Sequence, residues 1–264
     1  MPSRLFVLAA ASTLSATLLA CSADSTGPNA STAGSVSLSF AAKGASTSSA
    51  SLTGGTLSGA VVGSASSDAL VITKARLVLA ELELQRAGGS CADSSSSSSD
   101  SCEELELAPT MIDLPVSGNV VGALSVPVPA GSYSALEAKI TLADTGRRGG
   151  AELIAAHPEL RGASVYVEGT FNGKAFTYTG TTRAQIESRF DPPLVADGSG
   201  INVTVAVDLT TWFKTSSGAV IDPATANAGG PNAELVSTNI ARSFVAFRDD
   251  DHDGRDDDGA GSAR

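Results

Sequence analysis

Seven carboxylates crowd the ten positions from Asp249 to Asp258, with Arg255 the one Lys or Arg among them. Within that run Asp249, Asp251, Asp253, Gly254 and Asp257 fit the spacing D-x-D-x-D-G-x-x-D. Alternate carboxylates can converge on a hard cation that wants six to eight oxygens, and a glycine permits the sharp turn this requires. Asp249, Asp251, Asp253 and Asp257 are therefore candidate calcium ligands. An EF-hand needs a bidentate Glu at the twelfth position, where Ala260 stands, so that loop type does not fit. A lone loop with no following repeat is poorly preorganised, which sets the expected affinity at about the millimolar level of extracellular calcium modules. The competing reading is a solvated acidic tail that keeps the protein in solution.

The front of the chain carries an address. Met1-Pro2-Ser3-Arg4 precedes an uncharged, largely apolar run from Leu5 to Ala20, which ends against Cys21. A bilayer-spanning helix needs about 20 apolar residues, so the run is short for a permanent span and suits an export signal. Leu18-Leu19-Ala20-Cys21 resembles the lipobox of bacterial lipoproteins. The resemblance implies that Cys21 is lipidated and becomes the mature N-terminus at a membrane; the alternative is an ordinary secretory signal with an incidental cysteine. Ser22 lacks the Asp associated with inner-membrane retention, which implies the outer membrane of a two-membrane bacterium. With Cys21 assigned to lipid, Cys91 and Cys102 are the remaining pair, bracketing a serine-rich stretch with no capacity to pack. In an oxidising compartment a disulfide closing so short a loop contributes on the order of 3 kcal/mol. A thiol metal site needs further Cys or His nearby, and the sequence has none there.

Catalytic signals are sparse. The 264 residues contain two histidines, one Trp and three Tyr, and no nucleophile elbow, zinc-binding H-E-x-x-H or glycine-rich phosphate loop. His157, in a loop-like His-Pro-Glu-Leu-Arg segment, is the one histidine that could serve as base of a triad, since His252 lies in the acidic run. A surface loop histidine is the plainer account. The net charge of −11 provides no electrostatic footprint for nucleic acid or for an anionic lipid surface.

Period-two sequence supplies the elements that position these groups. Val36–Phe40, Val71–Leu84, Val120–Val128, Tyr133–Leu142, Ser164–Phe171, Lys174–Thr179 and Ile201–Leu209 alternate in the manner of half-buried strands. In Val71–Leu84 the alternation puts Val78, Ala80, Leu82 and Leu84 on one face, with Glu81 and Glu83 on the other. Asn172-Gly173 between two such runs is a strong hairpin signal. In Ile201–Leu209, Val203, Val205, Val207 and Leu209 share a face opposite Asn202, Thr204 and Asp208. Asp191-Pro192-Pro193 reads as turn or strand edge, because proline lacks the donor that a central strand needs. Trp212-Phe213 reads as one side chain in the core and one under a terminal helix. That helix is expected after Asn232, with Val236, Ile240, Phe244 and Phe247 as its apolar stripe.

Eight or nine strands with short polar turns predict a mainly β chain: an antiparallel β-sandwich, immunoglobulin- or prealbumin-like, with one C-terminal amphipathic helix. The expected organisation is a lipoprotein signal over 1–20, a lipidated cysteine and tether over 21–35, the sandwich over 36–247 and the acidic segment over 248–264. Polar residues from Gly44 to Ser67 place the start of the main body at Leu70. Leu77–Leu84, Met111-Ile112-Asp113-Leu114-Pro115, Val128-Pro129-Ala130-Gly131-Ser132-Tyr133 and the Asn-Gly hairpin together resemble bacterial lipoproteins of domain-of-unknown-function family 4382. That resemblance, over about residues 35 to 210, implies fold and compartment and no activity. The acidic spacing resembles the calcium loops of thrombospondin type 3 repeats.

The expected function is a lipid-anchored, non-enzymatic envelope protein with a binding or scaffolding role toward a protein or glycan. A calcium- or small-ligand-binding module and an envelope hydrolase using His157 are the alternatives. Cys21→Ser is expected to move the protein from the detergent-extractable membrane fraction to the soluble fraction with its fold unchanged. Continued membrane fractionation of the variant would contradict the lipoprotein assignment.

Overall fold

The computed structural model describes residues 34–43, 51–52, 55–56, 60–63, 70–88, 102–105, 107–198 and 200–257, with backbone alone for 51–52, 55–56, 60–63 and 102–105. The signal over 1–20, Cys21, most of the tether and Cys91 lie outside the described residues, so the expected disulfide does too.

Fourteen strands are present among the described residues. They are β1 (Gly34–Lys43), β2 (Ser51–Leu52), β3 (Gly55–Thr56), β4 (Ala60–Gly63), β5 (Leu70–Arg86), β6 (Cys102–Leu105) and β7 (Thr110–Asp113), followed by β8 (Val120–Val128), β9 (Gly131–Ile140), β10 (Val165–Phe171), β11 (Lys174–Gly180), β12 (Ala184–Ala196), β13 (Ile201–Asp208) and β14 (Phe244–Arg248). The helices are α1 (Gly150–Ala156) and α2 (Ala233–Ala241), with three short 3-10 turns. Two sheets pack face to face. The smaller has the order β14-β13-β1-β8; the larger runs β11-β10-β5-β9-β12, with β4, β6 and β7 also pairing with β5. The strands β2 and β3 form a separate two-residue pair, and with β4 they bring strand structure into the Gly44–Ser67 stretch. Pairing between the strands is antiparallel, as expected for this sandwich, except between β1 and β13, which run parallel.

The 17-residue β5 is the spine of the larger sheet. On one edge it pairs with β10 along its first half and with β9 along its second. On the other edge it meets β4, β7 and β6 in turn. At the junction Val78 N–H donates to Ser164 O at 2.9 Å, and Val78 O accepts from Thr141 N–H at 3.1 Å. Simple alternation fails along this strand. The register against β10 jumps from Lys74 to Ile72, and against β9 from Leu79 to Glu81, so Thr73 and Ala80 are extra residues. Each bulge flips which face the following side chains take. As a result Leu70 and Ile72, then Ala75, Leu77 and Leu79, then Leu82 and Leu84 all enter the main core. The expected shared face of Val78, Ala80, Leu82 and Leu84 is thereby corrected. Val78 points the other way, into a small second cluster with Ala143, Leu153, Ile154 and Leu160 beneath α1.

The smaller sheet supplies the opposing wall. Parallel register sets Val36, Leu38, Phe40 and Ala42 beside Ile201, Val203, Val205 and Val207, and every one of them is buried. Ser188 Oγ on β12 donates to Ala246 O on β14 at 2.7 Å, linking the sheets along one side. The Pro129-Ala130 turn carries the chain from β8 in one sheet to β9 in the other. Tyr133 O–H donates back to Pro129 O at 2.7 Å and fixes that corner, with the Arg86 guanidinium 5.6 Å above its ring. Asn172 and Gly173 both take positive φ, 50° and 76°, as the tight β10–β11 turn requires. Asp191-Pro192-Pro193 falls in the register break of β12, an edge strand, with a cis Asp191-Pro192 bond.

The C-terminal helix is shorter than its apolar stripe suggested. Asn232 precedes it, but its side chain donates to Thr225 Oγ1 rather than capping a backbone amide. Val236 and Ile240 are buried on the core side, and the helix ends at Ala241. Phe244 and Phe247 lie on β14, paired with Val207 and Thr204 of β13. Ser243 makes the break: its Oγ donates to Ile240 O and accepts the Trp212 indole N–H at 2.8 Å. The Phe-Val-Ala-Phe run that follows favours a strand and finds an open sheet edge. Trp212 and Phe213 are both fully buried in the main core, with Phe213 edge-on to Tyr178 at 5.3 Å.

Leu82, fully buried beyond the second bulge, tests this arrangement. Leu82→Ala is expected to lower unfolding free energy by about 2–5 kcal/mol in denaturant titration, against less than about 0.5 kcal/mol for Val245→Ala at a 57% exposed position.

Candidate metal centre

The segment after β14 folds back on the smaller sheet instead of extending into water. Asp249 is the pivot, with 0% exposure. Its N–H donates to Asn202 O at 3.2 Å, which continues the β13–β14 pairing by one step. Its carboxylate turns inward and accepts Thr204 Oγ–H at Oδ2, 2.6 Å away. The same carboxylate accepts two amides of the loop it begins, Asp253 N–H at 3.0 Å and Gly254 N–H at 3.1 Å. Three donors thus satisfy the buried carboxylate, as a polar group removed from water requires.

The remaining residues close around this pivot. Asp251 Oδ1 accepts Asp253 N–H at 3.1 Å, and Asp257 Oδ2 accepts Asp250 N–H at 2.6 Å. Asp257 N–H donates to Arg248 O at 3.1 Å, tying the loop's end to β14. Gly254 takes φ +81°, and a Cβ there would stand 2.8 Å from Val120 Cγ2 on β8. Both the backbone angle and the close approach require glycine at this position. The Arg248 guanidinium pairs with Asp250 at 2.6 Å, outside the ring of ligands.

Three of the four expected ligands come together. One carboxylate oxygen each from Asp249, Asp251 and Asp257 lie within 4.8 Å of one another, Asp249 buried and the other two exposed. Asp253 is not in this group: its carboxylate accepts Arg255 N–H at 2.8 Å and lies 3.6 Å from the Arg255 guanidinium. Three anionic oxygens converging with no nitrogen or sulfur donor suit a hard cation, and an irregular loop suits the flexible coordination of calcium better than the strict octahedron of magnesium. Thr204 carries no signal of this role in the sequence. It stands on the face of β13 away from the core, as alternation predicts, yet it is fully buried because Asp249 covers it.

His157 occupies the C-terminal end of α1, a different place altogether. Its Nδ1 is 3.6 Å from a Glu159 oxygen that the Arg76 guanidinium already holds, and no hydroxyl among the described residues hydrogen-bonds to it. A hydrogen bond from its own backbone amide, and then Arg76, lower the Glu159 carboxyl below its ordinary range against the opposing effect of burial. Nearby, the hydrogen bond to Glu168 pushes the Tyr166 hydroxyl up to about 12. These groups are joined by ion pairs and hydrogen bonds.

Comparison with solved structures adds a distant likeness. The chain is similar to MbnP from Methylosinus trichosporium, at 15% identity over 81% of this chain and 98% of that chain, with a TM-score of 0.43. At that level the likeness says nothing of what this chain binds. No family model and no curated protein matches the chain, so the resemblance to family 4382 stands on its short sequence segments.

Thr204→Val keeps the side chain's shape and removes the donor to buried Asp249. It is expected to cost about 1.5–3 kcal/mol in denaturant unfolding, while Thr204→Ser, which keeps the hydroxyl, costs markedly less. Equal losses in the two variants would show that the hydrogen bond is not what holds the loop.

Proposed function

We propose that the protein is a lipid-anchored, non-enzymatic β-sandwich of the bacterial cell envelope that presents a binding surface to a protein or glycan, and that its C-terminal loop takes a calcium ion. The observation that carries the calcium assignment is the convergence of Asp251 and Asp257 on the buried, pre-oriented carboxylate of Asp249. Calcium removes the repulsion among the three carboxylates and fastens the end of the chain to β13 and β14. The ion is structural in this reading, because it sits where the chain leaves the sheet and binding it consolidates that edge. The anchor rests on the Leu18-Leu19-Ala20-Cys21 segment, and assignment to the outer membrane rests on Ser22. The non-enzymatic reading is supported by the ion-paired surroundings of His157.

Isothermal titration with calcium tests the loop. Saturable binding is expected near the millimolar range, weaker for magnesium, and at least tenfold weaker in Asp251→Asn/Asp257→Asn, with the circular dichroism of the sandwich unchanged. Absence of saturable heat, or equal heats for wild type and the double variant, would leave the folded loop as a purely structural terminus.

A further inference from the structure

Two open grooves on the outer face of the larger sheet share a wall. One, of about 540 Å³, is lined by residues that include Ala80, Glu81, Leu107, Pro109, Arg147 and Arg148. The other, of about 420 Å³, is lined among others by Glu81, Lys139, Arg147 and Arg183. Both volumes lie in the range of small-ligand sites. Glu81 and Arg147 belong to both, so the grooves are two arms of one surface.

Among the described residues the charges on this surface do not cancel. Glu81 is the one carboxylate among the described lining residues, and it is fully engaged: one oxygen lies 2.9 Å from Lys139 Nζ and the other 3.1 Å from the Arg147 guanidinium. Lys139 also meets Glu137 at 3.4 Å. The carboxylate of nearby Asp144 accepts Gly146 N–H within its own turn. Arg148 and Arg183 are exposed, one in each groove, and neither has an ion pair among the described residues. Among the described residues, four cations thus face Glu81, with Glu137 and Asp144 at the margins, in a chain whose net charge is −11. The next lateral row of the sheet is acidic, with Glu83 and Glu187 each paired in register with Glu137. That row repels an anion and bounds the cationic surface on its far side.

We propose that this double groove binds a phosphate-bearing polyanion, with Arg148 and Arg183 gripping separate phosphate groups and Arg147 between them. The planar guanidinium presents paired donors that match phosphate oxygens, which suits arginine more than lysine to the outer contacts. Two separated free arginines call for at least two anionic groups on one ligand. An open, solvent-facing site makes the binding modest and salt-sensitive. The phosphate groups come either from a soluble oligophosphate or from the headgroups of an anionic bilayer.

Titration with sodium tripolyphosphate, in buffer freed of divalent cations on a chelating resin, tests the proposal. The full chain is used with Cys21→Ser, so that no attached lipid holds it on a bilayer. Saturable binding at 50 mM salt is expected, at least tenfold weaker in Arg148→Glu/Arg183→Glu and several-fold tighter in Glu81→Gln, which removes the carboxylate paired with Arg147. Flotation with phosphatidylglycerol vesicles, against phosphatidylcholine alone, forms the second arm. Tripolyphosphate binding assigns a soluble ligand; vesicle binding without it, lost in the double-Glu variant, assigns the headgroup. No binding in either arm, or binding that the double-Glu variant retains, overturns the proposal. Asp251→Asn/Asp257→Asn is expected to bind tripolyphosphate like wild type, so this outcome and that of the calcium titration are independent.

Discussion

One strand has to satisfy partners on both edges while keeping a single apolar row against the opposite sheet. The 17 residues of β5 are longer than the usual strand of about 5–6 residues, and right-handed twist would carry so long a segment off the packing plane. The bulges at Thr73 and Ala80 resolve the conflict by inserting one residue each, which bends the strand and resets its phase. The main core then runs unbroken from Leu70 to Leu84. Where the strand passes Val78, four consecutive residues, Leu77 to Ala80, are buried, because α1 and its neighbouring turn cover the outer face. The loop that leads into α1 also carries Arg147 and Arg148 over Glu81, so the charged surface outside the sheet depends on the same bend.

The smaller sheet does comparable service for the acidic loop. Its two central strands lie parallel, with their apolar residues side by side and facing inward. This leaves Thr204 of β13 facing outward where the chain emerges from β14. Asp249 is the first residue beyond that strand, and burial of its carboxylate against Thr204 determines the path of everything after it. Asp251 and Asp257 are held near it by backbone hydrogen bonds that run to the carboxylates themselves. The carboxylate oxygens are brought together by the sandwich edge.

Much of this was legible in the sequence and some was not, for identifiable reasons. Strands such as β13 and the β10–β11 hairpin follow directly from alternation and from Asn172-Gly173. The bulges of β5 were hidden because Val, Leu and Ala stand on both sides of the phase change, so a simple alternating face fits the letters equally well. Phe244 and Phe247 completed a helical stripe on spacing alone; the contact between Ser243 and Trp212, 31 positions apart, is what ends the helix. Parallel pairing of the first strand with β13 is a long-range choice that no local pattern encodes. The acidic spacing points to Asp249, Asp251, Asp253 and Asp257; the structure brings the first, second and fourth together, while Asp253 turns toward Arg255. The role of Thr204 left no signal, since a threonine on the polar side of a strand is ordinary until something covers it.

The central claim is that the sandwich edge holds the acidic loop in ligating shape before any ion arrives. Residue-resolved amide hydrogen exchange at Asp253 and Gly254, whose N–H groups donate to buried Asp249, measures this most directly. The account predicts that both amides exchange well below unfolded-chain rates in the absence of divalent cations, and that calcium slows them further. Exchange at unfolded-chain rates without divalent cations, unchanged by millimolar calcium, would contradict it.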